Sequence, residues 1–413
     1  MSIINVGLKY LISFFSKVGL LRLSAFILFI YVLINNRRRK GITVLCLTRR
    51  SNVFDVRALK KYEKRFNFIE LPFNILKFAQ PWLPKLDQTF YQDGLLEYPD
   101  AVYKSKLFTA SFLKYLRYFG SYDLKFILSA NFDYYEDFAF KNHYSTMYIG
   151  LSREHYLTPL SFQRGLSRYY NNYNFEGNRI FVYGEQTRKL LLQSKIGEKD
   201  EIIVTGCPRM DMISDLDYKN TTQNYITLFS FIDGLYDGDQ TFFEILKIFL
   251  NLADKYPDQQ FLIKCKSDYD YKILNDYCKN KPNIHLSYLM EFTKPFEVSK
   301  LIISFNSNSI LESLLSRAAI LIPYWGDTVK PQQELLVDPN EDEFLVFNFA
   351  HNQKDFTEFV ENIITSKGIY KINETDRMTT FGKYYFLSDQ RFSNVVGDEM
   401  QNLLDIFPVN KNK

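Results

Sequence analysis

The segment Leu301 to Asp327, LIISFNSNSILESLLSRAAILIPYWGD, constrains the fold more than any other stretch. Its pattern predicts a buried strand, a polar turn, an amphipathic helix and a second apolar strand. Two strands joined by a helix are typical of a parallel βαβ unit, in which the turn after the first strand lies at the carboxyl edge of the sheet. Open α/β sheets bind ligands at that edge, so the segment predicts both a fold class and the place of a site.

The polar turn has two interpretations. Ser307 and Ser309 would place hydroxyl and backbone N–H groups at the start of the following helix, where the helix dipole and unsatisfied donors favour a phosphate. Ser309 followed by Glu312 also fits the S-x-x-E capping box, which needs no ligand. Helix starts that bind anions are also capped, so both interpretations stay open.

The strand-then-helix pattern recurs along most of the chain and predicts an α/β protein with two Rossmann-like, doubly wound domains facing across a cleft. A length of 413 residues suits two or three domains. Polar residues 215–223 indicate an interdomain linker. The predicted organisation is a membrane-associated helical segment at 1–40, an N-terminal acceptor domain at 41–217, a C-terminal donor-binding domain at 218–385, and a C-terminal helix at 386–413 that packs back toward the N-terminal domain.

The N-terminal domain opens with a predicted buried strand at 41–50 and an amphipathic helix at 53–66. No glycine fingerprint follows that strand, so a dinucleotide site there is unsupported. Residues 68–122 are rich in aromatic residues and helix-like. The 38 Phe and 30 Tyr do not interleave with a basic tract, which argues against nucleic-acid binding.

Positive charge is concentrated at the N-terminus. Residues 1–40 hold seven of the 51 Lys and Arg residues and no acid, so the rest of the chain is slightly acidic. The apolar run Leu23 to Ile34 is shorter than the roughly 20 residues that span a bilayer, and Arg37 to Lys40 follow it. A monotopic anchor on anionic headgroups at the cytoplasmic face of the cell membrane is the first expectation. A spanning signal-anchor and a helix packed on the domain are the alternatives.

The cysteines and histidines show no metal-ligand spacing. Cys46, Cys207, Cys265 and Cys278 lie far apart without a C-x-x-C pair, which predicts buried or free thiols rather than a disulfide framework. We therefore expect neither a metal nor a cofactor.

Several motifs together resemble the GT-B glycosyltransferases of bacterial surface-polysaccharide and capsule biosynthesis. The order VYGEQTRKLLL, VTGCPRMD, LFSF, FLIKCKSD and ISFNSNSILESLLSRAAILIP is most similar to the group around the CDP-glycerol glycerophosphotransferases, over roughly residues 124–350. The resemblance implies a nucleotide-activated sugar or polyol donor in the C-terminal domain, a glycan or lipid-linked acceptor in the N-terminal domain, and no obligatory metal.

The resemblance also implies donor-side residues. Ser307, Ser309 and Glu312 match the segment that holds the donor's diphosphate. Lys264 and Lys266 match a segment that is more often K-P-H-P, and this chain departs from it because Cys265 replaces the proline and Lys266 the histidine. The charge can still neutralise phosphate, but proton transfer by that histidine is lost. Two lysines on one solvated strand face are the alternative.

Arg209, after the turn of Gly206 and Pro208, could clamp a phosphate with its guanidinium. A salt bridge to Asp211 or another carboxylate is the alternative. Asn131, at the end of a strand, is either an acceptor-side ligand or a turn residue.

Three further residues are candidates on the acceptor side. Arg153, Glu154 and His155 follow an apolar strand and resemble a loop that faces the cleft. Transfer to a hydroxyl needs a base, and Glu154 or His155 can serve if its pKa lies near neutrality. A surface loop with a paired Arg and Glu is the alternative.

The sequence thus supports a transferase of surface-polysaccharide assembly as the first hypothesis. A sugar-nucleotide 2-epimerase-like enzyme would need carboxylates and histidines on both cleft walls, and only His155 and His285 lie near predicted strand ends. A non-catalytic membrane-docked scaffold is the third hypothesis, supported by the substituted K-P-H-P site.

Overall fold

The computed structural model describes most of the chain. The described residues are 3–37, 39–49, 52–84, 95–130, 134–141, 143, 146–151, 175–194, 196–218, 221–232, 240–305, 307–330, 335–340, 346–366 and 373–407. Two parallel sheets flanked by helices form the framework.

The strands and helices alternate along the chain. The strands are β1 Ile42–Thr48, β2 Phe66–Pro72, β3 Asp123–Ser129, β4 Met147–Leu151, β5 Arg179–Val182, β6 Ile202–Val204, β7 Tyr225–Phe229, β8 Gln260–Lys264, β9 Ile284–Ser287, β10 Ser299–Ile303, β11 Ala319–Pro323 and β12 Asn348–Ala350. The α-helices are α1 Ile3–Lys17, α2 Leu21–Asn35, α3 Val53–Tyr62, α4 Phe73–Ala79, α5 Pro99–Tyr118, α6 Phe138–Lys141, α7 Glu185–Leu192, α8 Met210–Ser214, α9 Gln240–Lys255, α10 Asp268–Cys278, α11 Lys294–Val298, α12 Asn308–Ser313, α13 Gln353–Thr365, α14 Glu374–Tyr384 and α15 Phe392–Ile406. Among the described residues, 3₁₀ turns lie at Tyr135–Asp137 and Gly326–Thr328.

The first sheet has the strand order β2-β1-β3-β4-β5-β6, and its described pairings are all parallel. The order reverses between β1 and β3. Side chains of these strands are almost fully buried, as the continuous apolar runs in the sequence predict for a sheet covered on both faces. The expected doubly wound first domain is therefore confirmed.

The second sheet has the order β9-β8-β7-β10-β11-β12, again parallel in the described pairings. Its order reverses between β7 and β10, which is the arrangement of a dinucleotide-type sheet. The strand, turn, helix and strand predicted at 301–327 are β10, α12 and β11. The predicted fold class is confirmed in both halves.

The chain forms two compact units that divide between Arg209 and Met210. The described residues up to Arg209 and those from Ser388 onward belong to the first unit, and Met210–Leu387 form the second. In the first unit the C-terminal helix α15 packs on α3, where Arg65 Nη1 lies 2.5 Å from Asp398 Oδ1.

The apolar run at the N-terminus is largely core. Helix α2 contains it, and Ala25, Leu28 and Val32 are completely buried where α2 packs against α1 and α5. The Phe26 ring lies 5.4 Å from that of Tyr115 on α5. The packed-helix alternative thus describes α2 better than an anchor formed by this run. Among the described residues, no helix combines the length and apolarity that crossing a bilayer requires.

One region differs from the sequence predictions. The helix expected over 53–66 ends at Tyr62, and residues from Phe66 form strand β2 instead, because Phe66, Phe68 and Ile69 are buried beside β1. The four cysteines are buried and form no disulfide with one another.

Candidate functional site

The carboxyl edge of the second sheet collects the predicted donor-side residues. Strand β7 ends at Phe229 and is followed by Ser230, and β10 ends at Ile303 and is followed by Ser304. The strand order reverses between these two strands, and such a switch point opens a crevice where doubly wound sheets bind ligands. The rings of Phe231 and Phe305, one residue further along each chain segment, lie 6.2 Å apart.

A chain of serine hydroxyls connects the turn after β10. Ser304 Oγ and Ser309 Oγ lie 2.6 Å apart, and Ser309 Oγ donates to Ser307 Oγ at 3.2 Å. Helix α12 begins at Asn308 with Ser307 as its N-cap, and no side chain caps it. The capping box with Ser309 as N-cap is therefore wrong, because Ser309 lies inside the helix and bonds backward to the turn.

Glu312 shares this helix. It is 6% exposed, two residues after Ile310, which is also buried. Because the short helix presents nearly all its residues to the interior, Glu312 lies within the protein rather than on an open surface. The roles in donor binding of Glu312 and of the two serines stay predictions.

The end of β8 is organised by a buried carboxylate that the sequence analysis missed. Asp270 is completely buried and accepts hydrogen bonds from the Ser230 hydroxyl, from Ser267 Oγ at 2.6 Å and from the Lys266 N–H at 3.3 Å. The Ser230 hydroxyl in turn accepts from the Lys266 N–H at 2.9 Å. These bonds fix the turn after β8 to the turn after β7.

A signal for this carboxylate was present in the sequence. Ser267 is the N-cap of α10 and accepts from the Asp270 N–H at 3.2 Å. The pattern S-D-Y-D therefore fits the S-x-x-D form of a capping box, which predicts that the fourth residue folds back over the helix start.

The two lysines extend from the same edge. Lys264 is half-buried, and its Nζ donates to the Tyr288 carbonyl, 3.1 Å away, in the segment after β9. The Lys266 side chain is exposed. Cys265, between them, points into the core, where burial raises the pKa of its thiol to about 12. The lysines alternate with a core residue, as strand geometry requires.

The structure thus brings two turns to one edge of the second sheet. We call them the serine turn, with Ser304, Ser307 and Ser309 after β10, and the lysine turn, with Lys264 and Lys266 at and after the end of β8. Strand β7 separates β8 from β10, so the two turns lie on neighbouring sides of the switch point, about 10 Å apart by ordinary strand spacing. Hydroxyls, backbone N–H groups and cationic side chains are the groups that bind phosphate oxygens.

Arg209 lies in the first unit in a buried ion pair. The Arg209 guanidinium Nη1 is 3.3 Å from Asp55 Oδ2, and the Arg209 backbone N–H donates to Asp55 Oδ1 at 3.2 Å. Tyr183 donates its hydroxyl to the same carboxylate at 2.9 Å. Burial, and then the charge of Asp55, raises the pKa of Tyr183, so the phenol stays protonated and donates. This is the salt-bridge alternative with Asp55 as the partner, and phosphate binding by Arg209 stays a prediction.

Another buried carboxylate lies beside the carboxyl end of strand β3 in the first sheet. Asp137 is completely buried, and Tyr148 Oη donates to its Oδ2 at 2.6 Å. Burial raises the pKa of Asp137 to about 7, although hydrogen bonds from Ser129 and Tyr148 act in the opposite direction. Ser129 ends β3, so this carboxyl stands beside the place where the order of the first sheet reverses.

Asn131, Arg153, Glu154 and His155 lie outside the described residues. Within the described ranges, no group of three or more His, Cys, Asp or Glu side chains could hold a metal ion.

Comparison with solved structures finds several proteins that share this fold. The chain is similar to the wall teichoic acid polymerase TagF, at a TM-score of 0.56 and 11% identity, over 99% of this chain and 100% of the other. A Listeria monocytogenes protein provisionally described as a UDP-N-acetylglucosamine 2-epimerase gives 0.51 at 14% identity, over 91% and 99%. S. aureus MnaA, in a co-structure with UDP, gives 0.50 at 15%, over 90% and 98%.

At these identities the likenesses establish the fold alone. No protein-family model matches the chain, and no curated protein sequence matches it. The fold is of the GT-B type, a pair of doubly wound domains, as the sequence resemblance implied.

Proposed function

We propose that this protein is a transferase that moves a glycosyl or polyol-phosphate group from a nucleotide-activated donor to an acceptor in surface-polysaccharide assembly. The observation that supports this most is that the serine turn and the lysine turn lie at the same edge of the second sheet, next to its switch point. The fold shared with TagF and with MnaA, whose co-structure contains UDP, supports a nucleotide-bearing donor.

The proposed donor site acts mainly by electrostatics. The diphosphate of the donor would lie over the turns after β8 and β10, with the Lys264 and Lys266 cations and the hydroxyls of Ser307 and Ser309 around it. When the bond to the nucleotide breaks, negative charge grows on the leaving phosphate oxygen. Fixed cations and donors stabilise that charge more than they stabilise the ground state, which lowers the barrier.

The hydrogen bonds of buried Asp270 preorganise the lysine turn for donor binding. Asp270 holds the Lys266 backbone and the Ser230 hydroxyl in place, so the lysine turn loses little freedom on binding. In the proposed reaction an acceptor hydroxyl attacks the transferred group and gives its proton to a base, for which Glu154 or His155 remains our candidate.

Lys266→Ala and Ser309→Ala test the donor site. An alanine at position 266 keeps the backbone N–H that donates to Asp270, so the turn is expected to remain folded while the side-chain cation is lost. We expect each variant to bind UDP and CDP at least about tenfold more weakly by calorimetry, because each removes a phosphate-binding group. Lys272→Ala, which removes an exposed cation from the following helix, is the matched control and should bind as the parent does.

Unchanged nucleotide binding in both site variants, with circular dichroism showing a folded protein, would refute this donor site. Transfer itself is measured as acceptor-dependent release of the nucleotide from an activated sugar or polyol. Nucleotide binding without turnover over a broad acceptor panel would favour the non-catalytic scaffold.

A sugar-nucleotide 2-epimerase-like enzyme is the second candidate, since the L. monocytogenes neighbour is described in those terms. The described histidines give it little support. His285 lies at the amino end of β9, opposite the ligand edge, and is exposed. Incubation with UDP-N-acetylglucosamine and no acceptor separates the two functions, because only an epimerase would yield the epimer.

A further inference from the structure

Helix α1 carries an apolar stripe that no part of the described chain covers. Ile4, Leu11 and Phe14 follow one another at intervals of seven and three residues, which places them on one face of α1. Val18, four residues after Phe14 and one past the end of the helix, continues the same spacing. In chain order, these side chains are 62%, 47%, 58% and 54% exposed. The opposite face packs inward, since Ile12 and Ser16 are buried against α2 and α4.

The stripe continues around the turn between α1 and α2 and onto the end of α5. Leu20 and Leu23 are 51% and 42% exposed, and Tyr118 and Phe119 are 72% and 66% exposed. The ring of Phe26 lies 6.3 Å from that of Phe119, which joins the two parts. We call this surface the hairpin face; it is formed by Ile4, Leu11, Phe14, Val18, Leu20, Leu23, Tyr118 and Phe119. A contiguous exposed patch of this kind marks an interaction surface.

Hydrogen bonds fix helices α1 and α2 as a helical hairpin. Ser16 Oγ lies 2.6 Å from Ser24 Oγ and donates to the Ala79 carbonyl at 2.7 Å. At the other end Asn5 and Asn35 exchange side-chain hydrogen bonds of 2.8 and 3.0 Å. The hairpin face is therefore preformed and fixed to the first unit rather than an extended tail.

Charge identifies the occupant. The hairpin and the segment after it hold exposed or half-buried cations and no acid, namely Lys9, Lys17, Arg22, Arg37, Arg39 and Lys40. A second copy of the chain would bring the same positive charge against itself, and like charges at a symmetric interface cost binding energy. An anionic lipid surface attracts every one of them.

We propose that the hairpin face docks on an anionic bilayer, with α1 lying in the plane of the interface. Phe14, Val18, Leu20 and Leu23 enter the boundary between headgroups and acyl chains, and Lys17 and Arg22 contact the phosphates beside them. The buried run of α2 serves as the support on which α1 rests. This differs from an anchor made by residues 23–34 themselves, whose central side chains are packed in the protein.

Vesicle co-sedimentation of the full chain tests the proposal. Vesicles of phosphatidylcholine alone are compared with vesicles that also contain phosphatidylglycerol. We expect binding to the anionic vesicles, weakened by salt, and at least about tenfold weaker binding for Phe14→Ser/Val18→Ser and for Lys17→Glu/Arg22→Glu. Leu289→Ser, at a 79% exposed leucine of the second unit, and Lys189→Glu, at an exposed lysine of α7, are the matched controls and should bind as the parent does.

Equal binding of the parent to neutral and anionic vesicles would overturn the proposal, as would parental binding by both hairpin variants. A parent that sediments as a dimer, with Phe14→Ser/Val18→Ser as a monomer, would assign the face to a second copy instead. All of these substitutions lie at exposed positions, so thermal unfolding is expected to confirm that the variants fold.

Discussion

At the scale of single residues, buried Asp and Arg side chains organise several loops of this protein. Asp55 and Asp270 each accept several hydrogen bonds from turns that follow strands, one in each unit. Arg377 does the converse and donates to carbonyls. A buried charge is tolerated only where such partners compensate its lost hydration, so these residues define loop geometry.

Asp137 is the residue whose environment gives the clearest pH dependence. Its pKa is raised by burial to about 7, well above that of an unfolded aspartate, so the folded state binds more protons between about pH 4 and pH 7. The stability it contributes is complete below about pH 4 and is lost as the pH rises through 7, by up to about 1.4 kcal/mol per pH unit. Asp137→Asn should remove this loss.

The measurement is the free energy of unfolding in urea at several pH values, for the parent and for Asp137→Asn. The difference between the two proteins cancels the other titrating groups. A difference that stays constant from pH 4 to pH 8 would contradict the raised pKa.

Gly206 has no room for an added methyl group and has a backbone conformation that favours glycine. It has a φ of +76°, and a Cβ there would collide with the ring of Phe392 on α15. Gly19 has a φ of +81° with open space around it, which makes it a matched control. We expect Gly19→Ala to cost about 1 kcal/mol for the backbone alone and Gly206→Ala at least about 1 kcal/mol more. Equal decreases in the free energy of unfolding in urea would contradict this and would show that the Phe392 ring moves aside at no cost.

At the scale of elements, the short helix α12 depends on another helix for its position. Six residues cannot hold a helix in water by themselves. The guanidinium of Arg377, on α14, is buried and donates to the carbonyls of Ser313, Ser316 and Ala318 at the end of α12 and after it. Helix α14 therefore fixes the far end of the helix that starts at the serine turn.

Arg377→Met should leave those carbonyls unsatisfied and cost about 3 kcal/mol of unfolding free energy. Because these hydrogen bonds no longer fix the end of α12, nucleotide binding at Ser307 and Ser309 should weaken as well. Arg317→Met, at an exposed arginine in the same region, is the control and should leave both quantities nearly unchanged. A stable Arg377→Met protein would mean that methionine packing replaces the hydrogen bonds.

At the scale of the whole molecule, the chain returns to its first unit after completing the second. Residues from Ser388 onward belong to the first unit, where Phe392 packs on Gly206 and Asp398 pairs with Arg65. The first unit is therefore complete only when the last helix has been synthesised.

Deletion of residues 388–413 should destabilise the first unit selectively. Hydrogen exchange read by mass spectrometry should speed up in α3 and in the turn before Arg209, since both lose their cover. Exchange in the strands of the second sheet should change little. Uniformly faster exchange in both sheets would instead show that the two units unfold as one cooperative body.

Local patterns predicted much of this architecture. The apolar runs of β1, β3 and β10 and the amphipathic helices between them carried enough information for two doubly wound halves, because burial on both faces leaves a continuous apolar signature. The serine and lysine turns were found in the same way, since residues after strands of a parallel sheet must meet at one edge. Strand β2 was missed because the charged residues before it continue the pattern of helix α3 up to Phe66.

Only the tertiary structure decided how these residues are used. Asp55, Arg209 and Tyr183 are separated by more than a hundred positions at their extremes, and Asp137 and Tyr148 lie on different elements, so no local pattern could pair them. The N-terminal segment shows the same limit. Its hydropathy named α2 as the membrane-facing helix, whereas packing against α5 buries α2 and leaves α1 exposed, because which apolar face finds a partner depends on the whole fold.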